Sequence, residues 1–451
     1  MRMPLVVCAI ALLLPPVASA QTQAPQPTPS NAPAPPEVRR PFRGLFGAPA
    51  DPLAKRQSLD LTFSGFEAYD DNTVTDSEGN PFPQQGYLKS GWYTGATAGL
   101  AYNRPGDRLS IGLTGNAAVN RYLSIDRTTT MYQAGGDLSS QLTRHTTATL
   151  DGTFSYAPRF RLGLASGGNF STDLNAFNSI SPDFDLFDAH AYRSNARASL
   201  SQEFGGRITV MGFYGLTNVN YTNNGTDFRS MRAGVRFSQQ MSQHLGYHLG
   251  YSMITATSPL LNLSGRRIHN IDAGVDYGRA LSFSRRTTLT FSTGSAVVSA
   301  YDQFTTTAAS NKLRYRFTGD ASLVHELGRT WTASLGYRRA VNWREGFGAP
   351  LLSDGINAAF GGYLSRRAKF SSAADLTLGS VGFGSNNNRY NSGSAQADLE
   401  YALSHTLALF GRYVYYRYHF DAGALIDPRI VPSLERQGAS VGLEASFPVV
   451  R

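Results

Sequence analysis

The stretch Leu109-Ser110-Ile111-Gly112-Leu113-Thr114-Gly115-Asn116-Ala117-Ala118-Val119-Asn120 alternates one oily set (Leu109, Ile111, Leu113, Gly115, Ala117, Val119) with a second, more polar one. A period of two places the two sets on opposite faces of a β-strand. The same unit recurs from about Ser58 to Val450, each run followed by a connection that is alternately very short and long. A tilted strand of this length crosses a bilayer, and only a closed barrel satisfies every backbone hydrogen bond of a sheet in lipid. The sequence therefore predicts an all-β fold, a transmembrane antiparallel β-barrel of eighteen strands between residues 58 and 451. An even count places both termini on the periplasmic side.

What precedes the barrel has a different composition. Residues 1–20 carry Arg2, an apolar run from Leu5 to Leu14, and Ala18-Ser19-Ala20, the layout of a secretory signal peptide cleaved after Ala20. Cys8, the only cysteine of the 451 residues, lies inside that run, so the mature chain has no disulfide, thiolate or cysteine-based metal chemistry. Residues 21–57 hold nine prolines and no apolar period, and read as a disordered, polyproline-rich periplasmic leader. Beyond it, Pro105 falls in a short turn, Pro448 in the last few residues, and the other prolines in long connections, so no proline interrupts a ladder.

No later segment approaches 18 consecutive apolar residues, which excludes a helical membrane protein. The mean hydropathy of −0.26 does not exclude a barrel, because half of each strand faces a wet lumen. The formal charge of +9, close to +8 without Arg2, suits anionic lipid headgroups or anionic solutes. The short turns, such as Gly205-Gly206 and Ser404-His405, all follow even-numbered strands and belong at the periplasmic face. Tyr69, Trp92, Tyr122, Tyr156, Tyr192, Tyr221, Trp331, Trp343, Tyr415 and Tyr418 cluster near strand ends and are expected to form interfacial girdles.

The first strand closes on Phe66-Glu67-Ala68-Tyr69-Asp70-Asp71-Asn72. Tyr69 to Asn72 resembles the Tyr-Asp-Asp-Asn segment that opens proteins of the β-barrel porin 2 family, outer-membrane barrels of Gram-negative bacteria associated with exopolysaccharide production. The signal peptide, Pro-rich leader and barrel resemble the same layout. The resemblance implies a porin-like or polysaccharide-export role in the outer membrane. The final strand, Ala439-Val441-Leu443-Ala445-Phe447, resembles the terminal signal read by the outer-membrane assembly machinery, although Pro448-Val449-Val450-Arg451 follow the aromatic. On the residues alone, Asp70, Asp71 and Asn72 also suit a simple cap on the strand end.

Eight arginines fall on the lumen phase of their strands: Arg193, Arg197, Arg232, Arg236, Arg314, Arg316, Arg338 and Arg412. Gathered on one wall, they would draw anionic solutes or acidic polysaccharide through the pore. Paired with inward acids such as Asp137, Asp151, Asp272, Asp276, Asp320 or Asp398, they would only fill the interior. The longest connection, from about Pro158 to His190, is expected to fold into the barrel as a constriction. Its Asp183-Phe184-Asp185 and Asp188 offer oxygen ligands for calcium but lack the glycine-bearing loop of a defined calcium motif.

His190, His269 and His419 near the outer rim, with Ser181, Asp188 and Asp421 close in sequence, leave a hydrolase as a lesser reading. No Gly-rich turn joins a strand to a helix, so neither a nucleotide site nor a nucleic-acid partner is expected. No cofactor is expected either. The function expected is passive passage of hydrophilic solutes or exported polysaccharide across the outer membrane. The other open reading is a barrel with a closed lumen serving a structural or surface-interaction role.

Overall fold

The computed structural model describes residues 57–74, 88–123, 126–157, 191–222, 227–258, 263–281, 284–299, 313–328, 330–382, 388–422, 424, 426 and 432–450. The signal peptide, the leader and the Pro158–His190 connection with its calcium and hydrolase candidates lie outside these residues.

The strands in chain order are β1 (Ser58–Val74), β2 (Leu88–Arg104), β3 (Leu109–Tyr122), β4 (Arg127–Thr143), β5 (Thr146–Ala157) and β6 (Ala191–Phe204). Then come β7 (Ile208–Tyr221), β8 (Phe228–Gln240), β9 (Leu245–Ser258), β10 (Leu263–Leu281), β11 (Ser284–Ser299) and β12 (Leu313–Leu327). The last six are β13 (Trp331–Asn342), β14 (Leu351–Tyr363), β15 (Ala368–Val381), β16 (Arg389–Ala402), β17 (Leu407–Phe420) and β18 (Ser433–Val450). Each pairs antiparallel with its sequence neighbours, and β1 pairs with β18 to close an 18-stranded barrel without an edge. The termini of the barrel and all eight short turns share one end, as the alternation of connection lengths predicts.

The turn between β6 and β7 shows why those connections are so short. Gly205 and Gly206 have φ of 59° and 71°. Positive φ at both central residues is the type I′ turn, whose twist matches a hairpin and which glycine adopts without strain. The Arg207 N–H closes it onto the Phe204 carbonyl.

The exterior is apolar. Phe63 is 47% exposed, Trp92 57% and Phe317 73%, with Leu249, Val235, Leu335 and Leu443 similarly bare. Contiguous exposure of large apolar side chains on this scale is unfavourable in water and favourable in hydrocarbon. This is the surface of a membrane-spanning barrel.

Three sequence expectations are corrected. First, β18 runs to Val450, so Pro448 lies within a strand. It pairs with Asp60, where the register of β1 slips by a bulge, one of the few places where a sheet tolerates proline. Second, β1 extends past Tyr69, and Asp70 is no exposed cap. It is fully buried, and Arg436 of β18 donates to both its carboxylate oxygens through Nε at 3.0 and 2.9 Å. Asp71 Oδ1 accepts the N–H of Gln437 at 2.7 Å. The two aspartates therefore stitch the first strand to the last. Third, the girdle is smaller than predicted. Tyr69 and Trp92 pack edge to face outside the barrel, and Tyr156 packs against Tyr192. Tyr122 and Tyr418 instead point inward and are buried, while Tyr221 and Trp343 pack within the lumen.

Candidate functional site

The inward phase of the strands is not uniformly wet. On the wall formed by β1, β2, β3 and β17, Phe66, Tyr93, Tyr122 and Phe410 make a buried cluster. Phe66 lies flat over Gly95 of β2, where a Cβ would run into its ring. A second cluster on β15 to β18 comprises Val381, Tyr390, Tyr416, Tyr418, Phe420 and Leu434.

The connection between β13 and β14 folds onto this second cluster. Phe347, wholly buried, packs against Phe420 with ring centroids 5.7 Å apart and pairs in a short bridge with Ile426. Four residues earlier, Trp343 packs against inward apolar residues of the opposite sector, among them Val219, Phe228, Ile254 and Ile268. Gly346, at φ 81°, lets the chain turn between these anchors. Residues Trp343 to Pro350 thus form a chord across the lumen near the end bearing the long connections. Between the anchors, Glu345 takes a 2.6 Å ion pair from Arg193 on β6 and a hydrogen bond from the Tyr221 hydroxyl on β7. Its carboxylate is mostly buried. The sequence reading placed a constriction at Pro158–His190. In the described residues the inward-folded segment is this shorter one, and its signal is an eight-residue connection carrying Trp343, Phe347 and Ala349 where surface loops are usually polar.

Beneath the chord lie the arginines. Strand register places Arg193, Arg197, Arg232, Arg236, Arg316, Arg338 and Arg412 on the inward phase. Arg314 belongs to β12, and its side chain lies outside the described residues. Several of them are paired. Arg412 donates to Asp398 on the neighbouring strand. Arg236 bridges Asp276 at 3.3 Å and Asp272 at 3.8 Å. His248 completes that network, with Nδ1 2.9 Å from Asp276 and Nε2 3.4 Å from Asp272, and the Ser292 hydroxyl donates to Asp276 at 2.7 Å. Ser292 and His248 meet the same carboxylate rather than each other, so no nucleophile–base pair forms there. Of the rim histidines described, His269 bonds the Tyr251 hydroxyl on the outer face, with Nδ1 at 2.7 Å.

Arg232 differs. Its register neighbours are Gly215 on β7 and Ile254 on β9, neither of which carries charge. Its Nη2 lies 3.5 Å from the Ser252 hydroxyl, its guanidinium sits 5.4 Å above the Phe213 ring, and its buried Nε has no partner among the described residues. The charges of Arg197, Arg236 and Arg338 all reach it, and Asp272 is the acid that acts on it. Arg197 stands opposite Asp151 in register, outside ion-pair distance. Arg338 stands opposite Asp320 of β12, whose charge acts on it more strongly than that of Arg344 of the chord. Strands far apart in sequence thus bring Arg197, Arg232, Arg236 and Arg338 into one stretch of lumen, interleaved with Asp151, Asp272, Asp276 and Asp320.

No family model and no curated protein matches the chain, so the similarity carried by Tyr69–Asn72 remains a likeness of motif and layout. Among solved structures, Pseudomonas aeruginosa OpdQ superposes with a TM-score of 0.43 at 10% identity, over 87% of this chain and 98% of its own. Pseudomonas aeruginosa OpdO gives 0.41 at 13% identity over 88% and 98%. The siderophore receptor PirA from the same organism gives 0.41 at 10% over 88% and 81%. Likenesses this loose say nothing of what the chain carries.

Proposed function

We propose that this barrel is an outer-membrane channel for passive passage of hydrophilic solutes, with a preference for anions. The observation that carries the reading is Arg232: a lumen guanidinium without a carboxylate at ion-pair distance, close enough to Arg197, Arg236 and Arg338 to feel their charge. Cations held together in a confined lumen, without full local neutralisation, attract anions and repel cations. The chord from Trp343 to Pro350 supplies the size limit, and Arg344 extends the positive field to its edge.

Polysaccharide export is not part of this reading. A neutral sugar would find few ring faces to stack on, since Phe66, Tyr93, Tyr122, Tyr416 and Tyr418 are each at most 6% exposed. A second reading, a barrel whose lumen is shut, is favoured by Glu345, which ties the chord to the facing wall. Planar-bilayer recording separates the two. Stable open channels with an anion-favouring reversal potential support the proposal, and loss of that preference in Arg197→Ala/Arg232→Ala locates the filter. Absence of conductance overturns the channel, while an unaltered reversal potential in the variant overturns the role of these arginines.

A further inference from the structure

Each carboxylate oxygen of Glu345 is met by its own donor. Arg193 Nη2 of β6 reaches Oε2 at 2.6 Å, and the Tyr221 hydroxyl of β7 donates to Oε1. One donor for each oxygen of a planar anion recognises any carboxylate, whether it belongs to the chain or arrives in solution. The register neighbours of Arg193 are Ser155 on β5 and Val219 on β7, so Glu345 reaches it from the chord rather than from an adjoining strand. The pair borders the passage, with 15% of the Arg193 side chain and 10% of the Glu345 side chain still exposed.

The backbone beside Glu345 is built to turn. Gly346 follows it at φ 81°, a conformation that glycine adopts without strain. Two residues before it, the Trp343 indole N–H is buried without an acceptor among the described residues, so that anchor is held by ring packing. Drawing Glu345 away with nothing in its place would take from Arg193 its ion pair, a costly step for a mostly buried guanidinium. Exchange avoids that cost. An entering carboxylate takes the same two donors while Glu345 passes to water, and the ion pair in the lumen is kept.

We propose that Arg193 and Tyr221 form a carboxylate-binding site occupied at rest by Glu345, and that a solute carboxylate displaces Glu345 and frees the chord. The inference rests on the reading of the barrel as an anion channel and adds the class of solute that releases its constriction.

The test uses detergent-folded Trp92→Phe/Trp331→Phe protein, in which Trp343 is the one tryptophan left. Saturation-transfer NMR follows ligand binding, and Trp343 emission follows release of the chord. The probes are propionate (the free analogue of the glutamate side chain), propionamide (its shape without its charge) and chloride, at one ionic strength. Propionate is expected to bind saturably and change the emission in step, and the other two to leave it flat. Glu345→Ala removes a competitor tethered at high effective concentration, and should tighten propionate binding about tenfold or more. Its emission should match the released state before any propionate is added. Within that background Tyr221→Phe should weaken binding about tenfold, the loss of one hydrogen bond to a charged group, and Arg193→Ala should abolish it. Glu345→Gln serves if the alanine variant folds poorly. Arg417→Ala, on an exposed residue opposite Glu435, is the control expected to bind normally. Equal emission changes with propionate and chloride overturn the site, as does a Glu345→Ala protein that binds propionate no more tightly than its parent. Neither readout needs conductance: propionate binding to a barrel that passes no current supports this site and overturns the channel, whereas a conducting barrel that ignores propionate overturns this site alone.

Discussion

Replacing Asp70 by alanine should loosen the barrel at its seam. The carboxylate is fully buried and the Arg436 side chain 4% exposed, so the change leaves a guanidinium inside the wall without its principal anion. Breaking one side of a buried ion pair costs about 3–5 kcal/mol, whereas exchanging both partners for apolar residues of similar volume is often neutral. Asp70→Ala should therefore lower stability by about 3–5 kcal/mol, and Asp70→Leu/Arg436→Leu should return to within about 1 kcal/mol of wild type. The assay is reversible urea unfolding in lipid vesicles, followed by tryptophan fluorescence. Trp92 suits it, because its strand pairs with β1 and its ring packs on Tyr69 beside the aspartate. The unfolding slope should not change and the midpoint should fall. A loss below about 1 kcal/mol in the single variant, or a double variant as unstable as the single, refutes the idea that this pair holds the seam closed.

Glu345→Gln keeps the shape of the chord's tie but removes its charge. Hydrogen bonds to charged groups are worth about 1.5–3 kcal/mol, so single-channel conductance should rise and grow noisier, and urea stability should fall by no more than that amount. Gly95→Val drives a side chain into the place of the Phe66 ring and should cost about 1–3 kcal/mol by overpacking. Phe66→Ala combined with it should recover most of that loss in the same urea assay. Raising ionic strength from about 0.1 to 1 M shortens the screening length from about 10 to 3 Å. The anion preference should shrink accordingly in reversal-potential measurements, and a preference untouched by salt would mean that steric fit rather than charge selects the solute.

The barrel was legible because closure imposes period two on every strand, and the periodicity survives without any knowledge of neighbours. The lumen phase of the arginines followed from the same rule. What alternation hides is chemistry shared by both phases. Tyr122 lies in phase with Asn120, so it was inward by its own parity and only its type and its place near a strand end suggested a girdle. The Asp70–Arg436 pair joins residues 366 apart in sequence, and no local pattern announces a contact that exists only once the sheet has closed on itself. The chord was missed because length guided the search for a constriction, whereas the shorter segment is held inward by Trp343 and Phe347 finding apolar surface on two facing walls.

Closure also explains why Arg232 is informative. Joining β1 to β18 forces every inward side chain into one volume, so arginines from β6, β8 and β13 share space although they lie up to about a third of the chain apart. The fold relieves that repulsion where a carboxylate stands on the next strand, as Asp398 does for Arg412 and Asp272 with Asp276 for Arg236. For Arg232 the adjacent register positions are a glycine and an isoleucine, and the ring of Phe213 offers only a weak cation–π contact. A cation left partly uncompensated at such a position lowers stability, and in the channel proposed above that cost is set against its attraction for a passing anion.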